Sequence, residues 1–110
     1  MTFDHEAALA IELEHHAVPS EQLVTGSPTT GTAPLGVFGG REYGVWEMTP
    51  GAMSDVEADE LFVVLTGRAT VEFLDDGTAV QLEPGSVGRL TEGMRTVWTV
   101  TETLRKVYVA

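Results

Sequence analysis

From residue 36 onward, the chain consists of short runs rich in Val, Leu, Thr, Phe and Trp that are separated by turn residues. Runs of this length and composition are typical of β-strands. Because the runs recur at intervals of about 8–12 residues and no segment has helical periodicity, the pattern predicts an all-β sandwich or barrel. The predicted strands are YGVWEM, ELFVVL, ATVEFL, TAVQLE, SVGRL, TVWTV and RKVYVA.

Turn residues between the runs support the strand assignment. Asp76-Gly77 separates TVEFL from TAVQL, and this dipeptide favours a tight hairpin because both central residues must tolerate positive φ. Pro84-Gly85 marks a further turn. Gly67 stands between ELFVVL and ATVEFL, so we predict that it ends one strand before the next begins.

The first 34 residues differ in composition from the rest, since they hold five acidic residues and no Lys or Arg. Leu9, Ile11 and Leu13 alternate with less apolar residues, which is a strand period, although the Ala and Glu content also suits a helix. The segment VPSEQLVTGSPTTGTAP predicts irregular or extended chain. We therefore expect an N-terminal arm at residues 1–34 and one β-barrel domain at residues 35–110.

Size and charge limit the classes of function. The chain has 110 residues, no cysteine and a net charge of −11, which indicates one domain with one core and no disulfide. Nucleic-acid binding depends on Lys and Arg, of which there are only six, so neither nucleic acid nor an anionic membrane is an expected partner. No signal-peptide pattern precedes the barrel, and we expect a cytoplasmic location.

The basic residues are unevenly placed, because all of them lie from Arg41 onward and four lie in the last quarter of the chain. If folding brings some of them together inside a cavity, an anionic small molecule can bind there. The alternative is that each is a solvated side chain on a strand.

Two segments resemble the conserved motifs of a known family. Glu60, six further residues and Gly67 resemble the end of the first cupin motif, and PGSVGRLTEGMRTVWTV resembles the second. The set GVWEMTPG, DELFVVLTG, EGMRTVW and LRKVYV is similar to small single-domain cupins related to the ureidoglycine aminohydrolase cupin domain and to an ethanolamine-utilisation cupin. This resemblance implies a jelly-roll-like β-barrel of two antiparallel sheets.

The resemblance also implies a lumen that holds a metal ion bound by two His and a Glu of the first motif and a His of the second. Counting back from Glu60 places Ser54 and Val56 at the two histidine positions of the first motif. Thr96 stands at the histidine position of the second motif.

A second register is possible, because counting forward from Gly51 places Glu57 and Asp59 at the first two ligand positions. A metal site needs three or four converging ligands, and neither register supplies them. No metal or other cofactor is therefore predicted, and a divalent transition metal remains the alternative.

Glu60 is the candidate catalytic residue. Side chains alternate across a strand, so Glu60 and Phe62 share one face, and the resemblance places that face at the cavity mouth. A partly buried Glu can act as a general acid or base, or it can form an ion pair with Lys106. Asp55 and Glu57 are expected to lie in a solvated loop.

Six residues are predicted to bind a ligand inside the barrel. Trp98 shares a strand face with Thr96, and an indole ring suits a planar small molecule, although a Trp can also simply fill the core. The resemblance places Lys106 inward, and Tyr108 shares its face. The predicted ligand-binding set is Trp46, Phe62, Thr96, Trp98, Lys106 and Tyr108.

The three histidines, His5, His15 and His16, all precede the barrel. Adjacent residues point in opposite directions on a strand, so His15 and His16 cannot easily chelate one ion together. We expect solvated side chains at these positions.

Two classes of function follow. In the first, the barrel binds a small polar or anionic metabolite without a histidine-based metal site. In the second, it is an enzyme of aminohydrolase-like chemistry that uses Glu60 as acid or base. In either case we expect a homodimer formed through the outward face of strand residues 61–65 and the N-terminal arm.

Overall fold

A computed structural model describes residues 5–110, and this range contains nine β-strands and no helix, which confirms the all-β class. None of its elements is therefore a helix able to cross a bilayer. The strands are β1 (His15–Ala17), β2 (Leu23–Thr25), β3 (Thr29–Phe38), β4 (Arg41–Met48), β5 (Gly51–Val56), β6 (Glu60–Phe73), β7 (Thr78–Leu82), β8 (Val87–Leu90) and β9 (Arg95–Val109).

Two long strands organise the barrel. The 14-residue β6 pairs with the 15-residue β9 from Leu61↔Val109 to Phe73↔Thr96. The other edge of β9 pairs with β4 at its C-terminal half and with β5 at its N-terminal half. The other edge of β6 pairs with β8 at its start and with β7 at its end. All pairings are antiparallel, so the sheet curls around an interior whose wall is mostly supplied by β4, β5, β6 and β9.

The expectation that Gly67 ends a strand is wrong. The register between β6 and β9 shifts on both sides of Thr66, so Gly67 lies in an irregular stretch of one continuous strand. Its φ is +91°, and a Cβ at this position would meet the backbone carbonyl of Thr103. Glycine here permits a bulge against β9 rather than a break, because bulges require such conformations and leave no room for a side chain.

The acidic segment that begins at Gly51 is also a strand. β5 pairs with β9 from Gly51↔Val100 to Val56↔Arg95. The prediction that Asp55 lies in a solvated loop is therefore wrong. Pairing with β9 outweighs the low strand propensity of acidic residues.

The N-terminal arm is attached to the outside of the barrel by Arg105. The Nη1 atom of Arg105 donates to the carbonyls of Ala8, at 2.9 Å, and Ile11, at 2.7 Å. Its Nε atom donates to Glu47 at 2.6 Å. Ala7 to Ile11 form a turn, which is neither the strand nor the helix that the sequence left open for this segment.

His15 is part of the same attachment and is not a solvated side chain. Its Nε2 lies 3.0 Å from Glu47 Oε1, and its Nδ1 lies 2.8 Å from Thr29 Oγ1. His16 is exposed, as expected. The expected arm at residues 1–34 includes residues 1–4, which lie outside the described part of the chain, and β3 runs across the proposed boundary at residue 35.

The hydrophobic core fills the part of the interior that lies away from the carboxylates. Met48, Val64 and Leu104 are almost completely buried. Phe62 and Trp98 contact each other with ring centroids 5.8 Å apart, and Trp46 packs against the same cluster. The core therefore ends in a group of aromatic rings, beyond which the interior becomes polar.

Candidate functional site

The polar part of the interior is a cavity of about 290 Å³. Four carboxylates, two indole rings, one tyrosine and one ammonium group face it, together with two threonines and a methionine. Its lining residues are Thr30, Thr32, Glu42, Trp46, Met53, Asp55, Glu57, Glu60, Trp98, Lys106 and Tyr108.

The ammonium group of Lys106 lies in a cage of aromatic rings. Lys106 is 4% exposed, and its Nζ lies 4.6 Å from the ring centroid of Trp46, 4.7 Å from that of Phe62 and 4.6 Å from that of Trp98. Trp46 stands directly opposite Lys106 in the β4–β9 pairing. The negative faces of such rings attract a cation, and more strongly when water is excluded.

Glu60 completes the cage. Its Oε2 lies 2.6 Å from Lys106 Nζ, and its side chain is 19% exposed. Glu60 is the first residue of β6 and is therefore positioned on the inward face with Phe62. The ion pair between Glu60 and Lys106, one of the two alternatives for Glu60, is present, and it offsets part of the cost of burying both charges.

Glu57 is fixed by two side-chain donors. Its Oε2 accepts hydrogen bonds from Thr96 Oγ1, at 2.7 Å, and from Trp98 Nε1, at 2.9 Å. Its backbone is bound to the turn before β9, through Met94 and Gly93. Glu57 is therefore an interior residue held in one orientation, and the expectation of a solvated loop is wrong here too.

Asp55 lies on β5 opposite Thr96. Its Oδ1 accepts the backbone amide of Val56 at 2.8 Å and lies 3.4 Å from Gln22 Nε2. Burial raises the pKa of the Asp55 carboxyl above its usual value, and the nearby charge of Glu57 raises it further.

Tyr108 and Glu42 form the fourth polar group. The hydroxyl of Tyr108 donates to Glu42 Oε2 at 2.8 Å. Burial and the hydrogen bond to Glu42 raise the pKa of Tyr108 far above its usual value. The phenol is therefore a hydrogen-bond donor at neutral pH and not a base.

Each of the four carboxylates has one oxygen engaged and one open. Asp55 Oδ1 and the Oε2 atoms of Glu42, Glu57 and Glu60 accept the bonds described above. Within residues 5–110, the second oxygen of each carboxylate accepts no hydrogen bond. The cavity thus presents several acceptors in a small volume and only one ammonium, which is already paired.

The structure brings together most of the residues predicted from sequence. Glu60, Trp46, Trp98, Lys106 and Tyr108 line the cavity. Phe62 lies behind them and contacts the ammonium. Thr96 is fully buried, and its hydroxyl donates a hydrogen bond to Glu57. Sequence reasoning missed Asp55, Glu57 and Glu42, although the i, i+2 spacing of Asp55 and Glu57 could have indicated one strand face.

The lumen residues do not fit the histidine-rich metal centre that the resemblance implies. Ser54 and Val56 alternate with the inward residues, and Val56 is 66% exposed. Lys106 already occupies the inner side of Glu60. No group of three or more His, Cys, Asp or Glu side chains within residues 5–110 is arranged to hold a metal ion.

Comparisons with known proteins agree with the fold. Residues 35–108 match the model of the EutQ-like cupin domain family. A DUF861 protein of unknown function from Pseudomonas syringae superposes with a TM-score of 0.76 at 21% identity, over 91% of this chain and 44% of that one. This chain therefore spans less than half of that relative.

Two further solved structures are of a EutQ protein and of a candidate EutQ protein. The EutQ protein of Clostridium difficile gives a TM-score of 0.65 at 23% identity, covering 86% of this chain and 78% of its own. A candidate ethanolamine utilisation protein Q from Salmonella typhimurium gives a TM-score of 0.64 at 14% identity, covering 92% of this chain and 96% of its own. These likenesses confirm the cupin fold that the sequence motifs imply. Among curated proteins, no sequence matches this chain.

Replacing Lys106 by Met should destabilise the protein strongly, because it leaves the Glu60 carboxylate unpaired beside aromatic rings. We expect a loss of about 3 kcal/mol in the free energy of unfolding, measured by urea denaturation at pH 7. The double variant Lys106→Met/Glu60→Gln should recover at least half of the loss.

The matched control is Arg68→Met, which removes an exposed ion pair with Glu83 and should cost less than about 1 kcal/mol. Equal losses in Lys106→Met and Arg68→Met would contradict the importance of the cage.

Asp55→Asn should alter the pH dependence of stability. The pKa of Asp55 is raised in the folded state, so the native protein binds this proton more tightly than the unfolded chain does. The contribution of Asp55 to the free energy of unfolding therefore falls as pH rises above 3.8, the usual pKa of the group. The stability of Asp55→Asn relative to wild type should therefore increase above that pH and level off once the native carboxyl is ionised.

Asp76 gives the opposite control, because hydrogen bonds from Thr78 lower the pKa of its carboxyl. Its ionised form stabilises the native state above the usual pKa, and this contribution is lost as pH falls. Asp76→Asn should therefore lose stability at neutral pH, and unfolding curves over a pH series will show whether the two variants differ in sign.

Proposed function

The chain belongs to the EutQ-like cupin domain family, and from that premise we propose that its lumen binds a small, polar, nitrogen-containing molecule through carboxylate acceptors. The observation that carries this proposal is the set of four lumen carboxylates that each keep one oxygen open. Ionised carboxylates only accept hydrogen bonds, so a ligand that fits them must donate. Amines, amides and amidines have such N–H donors.

Charge favours a cationic or neutral ligand in this cavity over an anionic one. Glu60 is neutralised by Lys106, but Glu42, Asp55 and Glu57 face the same space without a paired cation. An anion would meet these groups at short range in a partly buried site, where like charges repel most strongly. An ammonium or amide group would instead meet complementary charge.

Size and shape restrict the ligand further. A cavity of about 290 Å³ is at the small end of the range for small-molecule sites. Trp46 and Trp98 form apolar walls, with ring centroids 5.9 Å apart. The aromatic cage itself is filled by the Lys106 ammonium, so the ligand lies beside it. One structural neighbour is a candidate ethanolamine utilisation protein, which makes ethanolamine a reasonable probe.

Enzymatic chemistry is the second candidate, favoured by the raised pKa of Asp55. Two neighbouring carboxyls whose environments differ can supply an acid and a base in one site. Asp55 would protonate a leaving nitrogen and Glu57 or Glu60 would accept a proton from water, in aminohydrolase-like cleavage of a C–N bond. The original candidate base, Glu60, is tied to Lys106 and would have to release one oxygen. A loss of ammonia release in Asp55→Asn at saturating substrate, where weaker binding no longer limits the rate, would support this class.

We also propose that the protein forms a homodimer through the apolar row around Val63 on the outer face of β6, with Leu61 outside the contact. Val63 stands between Val87 on β8 and Val107 on β9, and Val63 and Val87 are 37% and 68% exposed. A continuous apolar row of this kind is typical of a protein interface. A cytoplasmic location remains a prediction, which cell fractionation would check.

Ethanolamine and acetamide should bind in the lumen, and butyrate should not bind there. Saturable shifts of the Trp46 and Trp98 indole signals in NMR titrations would measure this. Glu42→Gln and Asp55→Asn should each weaken ethanolamine binding about tenfold, because a hydrogen bond to a charged group is lost. Glu72→Gln removes an exposed carboxylate outside the cavity and should change nothing. Equal effects of all three variants would contradict a lumen site.

Val63→Lys should convert the proposed dimer into a monomer, because it places a charge in the centre of the apolar row. Sedimentation analysis over a range of concentrations measures the change. Val80→Lys is the matched control, since Val80 is 48% exposed but lies on β7. A monomeric wild-type protein would contradict the proposal.

A further inference from the structure

In this strongly acidic chain, two arginines have no negatively charged partner among residues 5–110. Of the six Lys and Arg residues, four form ion pairs with Asp or Glu. For Arg41 and Arg89, no ion pair or hydrogen bond to the side chain is found within residues 5–110. Because 17 carboxylates are present, the absence of a partner at both positions is not explained by a shortage of acids.

Both arginines line the same pocket, which has a volume of about 400 Å³, adjoins the lumen cavity at Glu60 and is otherwise lined by different residues. Leu61, Leu90 and Val109 supply apolar surface to this pocket. It therefore combines two guanidinium groups with an apolar floor.

Strand pairing explains how two residues 48 positions apart meet at one pocket. Leu61 pairs with Arg89 on one side and with Val109 on the other, and Val109 pairs with Tyr43. Arg41 lies on the same face of β4 as Tyr43, since the two are two positions apart. The arginine strands are three strand spacings apart, or roughly 14 Å, so the long side chains approach the floor from opposite sides.

The acidic residues at the pocket do not neutralise these arginines. Asp59 Oδ1 accepts the backbone amide of Glu92 at 2.9 Å, and Glu60 is paired with Lys106. The net charge of −11 repels anions at long range, but salt screens such repulsion beyond about 8 Å at physiological ionic strength. Short-range contacts to the guanidinium groups are much less affected.

We propose that Arg41 and Arg89 form a second binding site, which takes the oxyanion of a small molecule whose apolar part lies on Leu61 and Val109. A planar guanidinium presents paired N–H donors that match a carboxylate or phosphate in a bidentate arrangement. This site takes an anionic group, whereas the lumen is proposed to take a cationic or neutral one. Neither proposal depends on the other. It also assigns an anion-binding role to basic residues that the lumen does not contain.

The test is an NMR titration of the whole chain with butyrate and with inorganic phosphate, followed through the backbone amides of Leu61, Arg89 and Val109. At least one probe should give saturable shifts at these amides. Tighter binding of butyrate assigns a carboxylate, and tighter binding of phosphate assigns a phosphate group. Absence of saturable shifts with both probes would overturn the proposal.

Arg41→Gln and Arg89→Gln should each raise the dissociation constant at least tenfold. Both side chains are exposed and unpaired, so the variants should unfold at the wild-type temperature. Arg95→Gln removes the same charge at the ion pair with Asp75 and should leave binding unchanged. An equal loss in Arg95→Gln would show that only overall charge matters and would refute the site.

Sedimentation of the same variants separates ligand binding from self-association. If Arg41→Gln or Arg89→Gln changed the oligomeric state, the arginines would belong to a contact between copies and the proposal would be wrong. Ethanolamine binding in the lumen should be the same in both variants, so failure of this site and failure of the lumen site remain distinguishable.

Discussion

The interior of this barrel depends on one buried cation. The Lys106 ammonium is held by the Glu60 carboxylate at 2.6 Å and by three aromatic rings at nearly equal distances. The rings come from β4, β6 and β9, so one charge links three of the four strands that form most of the wall. Neither member of the pair can be replaced alone without leaving an unpaired charge against apolar surface. The same contacts separate the hydrophobic core from the polar cavity.

This cation gives the lumen a different chemistry from that of a metal centre. A metal ion offers vacant coordination positions and activates water as a Lewis acid. An ammonium group carries positive charge but only donates hydrogen bonds, and this one is already surrounded. Among the other groups that face the cavity, the ionised carboxylates only accept hydrogen bonds, and the Trp98 N–H and the Tyr108 hydroxyl already donate to Glu57 and Glu42. In the proposed binding mode, recognition therefore relies mainly on donors brought by the ligand, and in the proposed enzymatic mode the available chemistry is proton transfer between carboxyls.

The sequence was sufficient to predict the class of fold and the inward placement of Glu60, Trp98 and Lys106. Strand alternation and family motifs can both be recognised within short stretches of chain. It was insufficient for Asp55 and Glu57. An acidic segment next to a Pro-Gly turn has the composition of a loop, and it becomes a strand only because β9 pairs with it. Gly67 was misinterpreted for a related reason. Whether a glycine ends a strand or forms a bulge depends on the backbone that passes beside it, which composition does not reveal.

The position of β9 in the strand order has a consequence for biosynthesis. It is the last of nine strands, yet β4, β5 and β6 all pair with it. While the earlier strands leave the ribosome, they lack their central partner and expose unpaired edges, and such edges are prone to misassembly. Closure of the barrel must wait until residues 95–109 emerge. Until β9 is available, the nascent chain therefore exposes strand edges that the folded barrel covers.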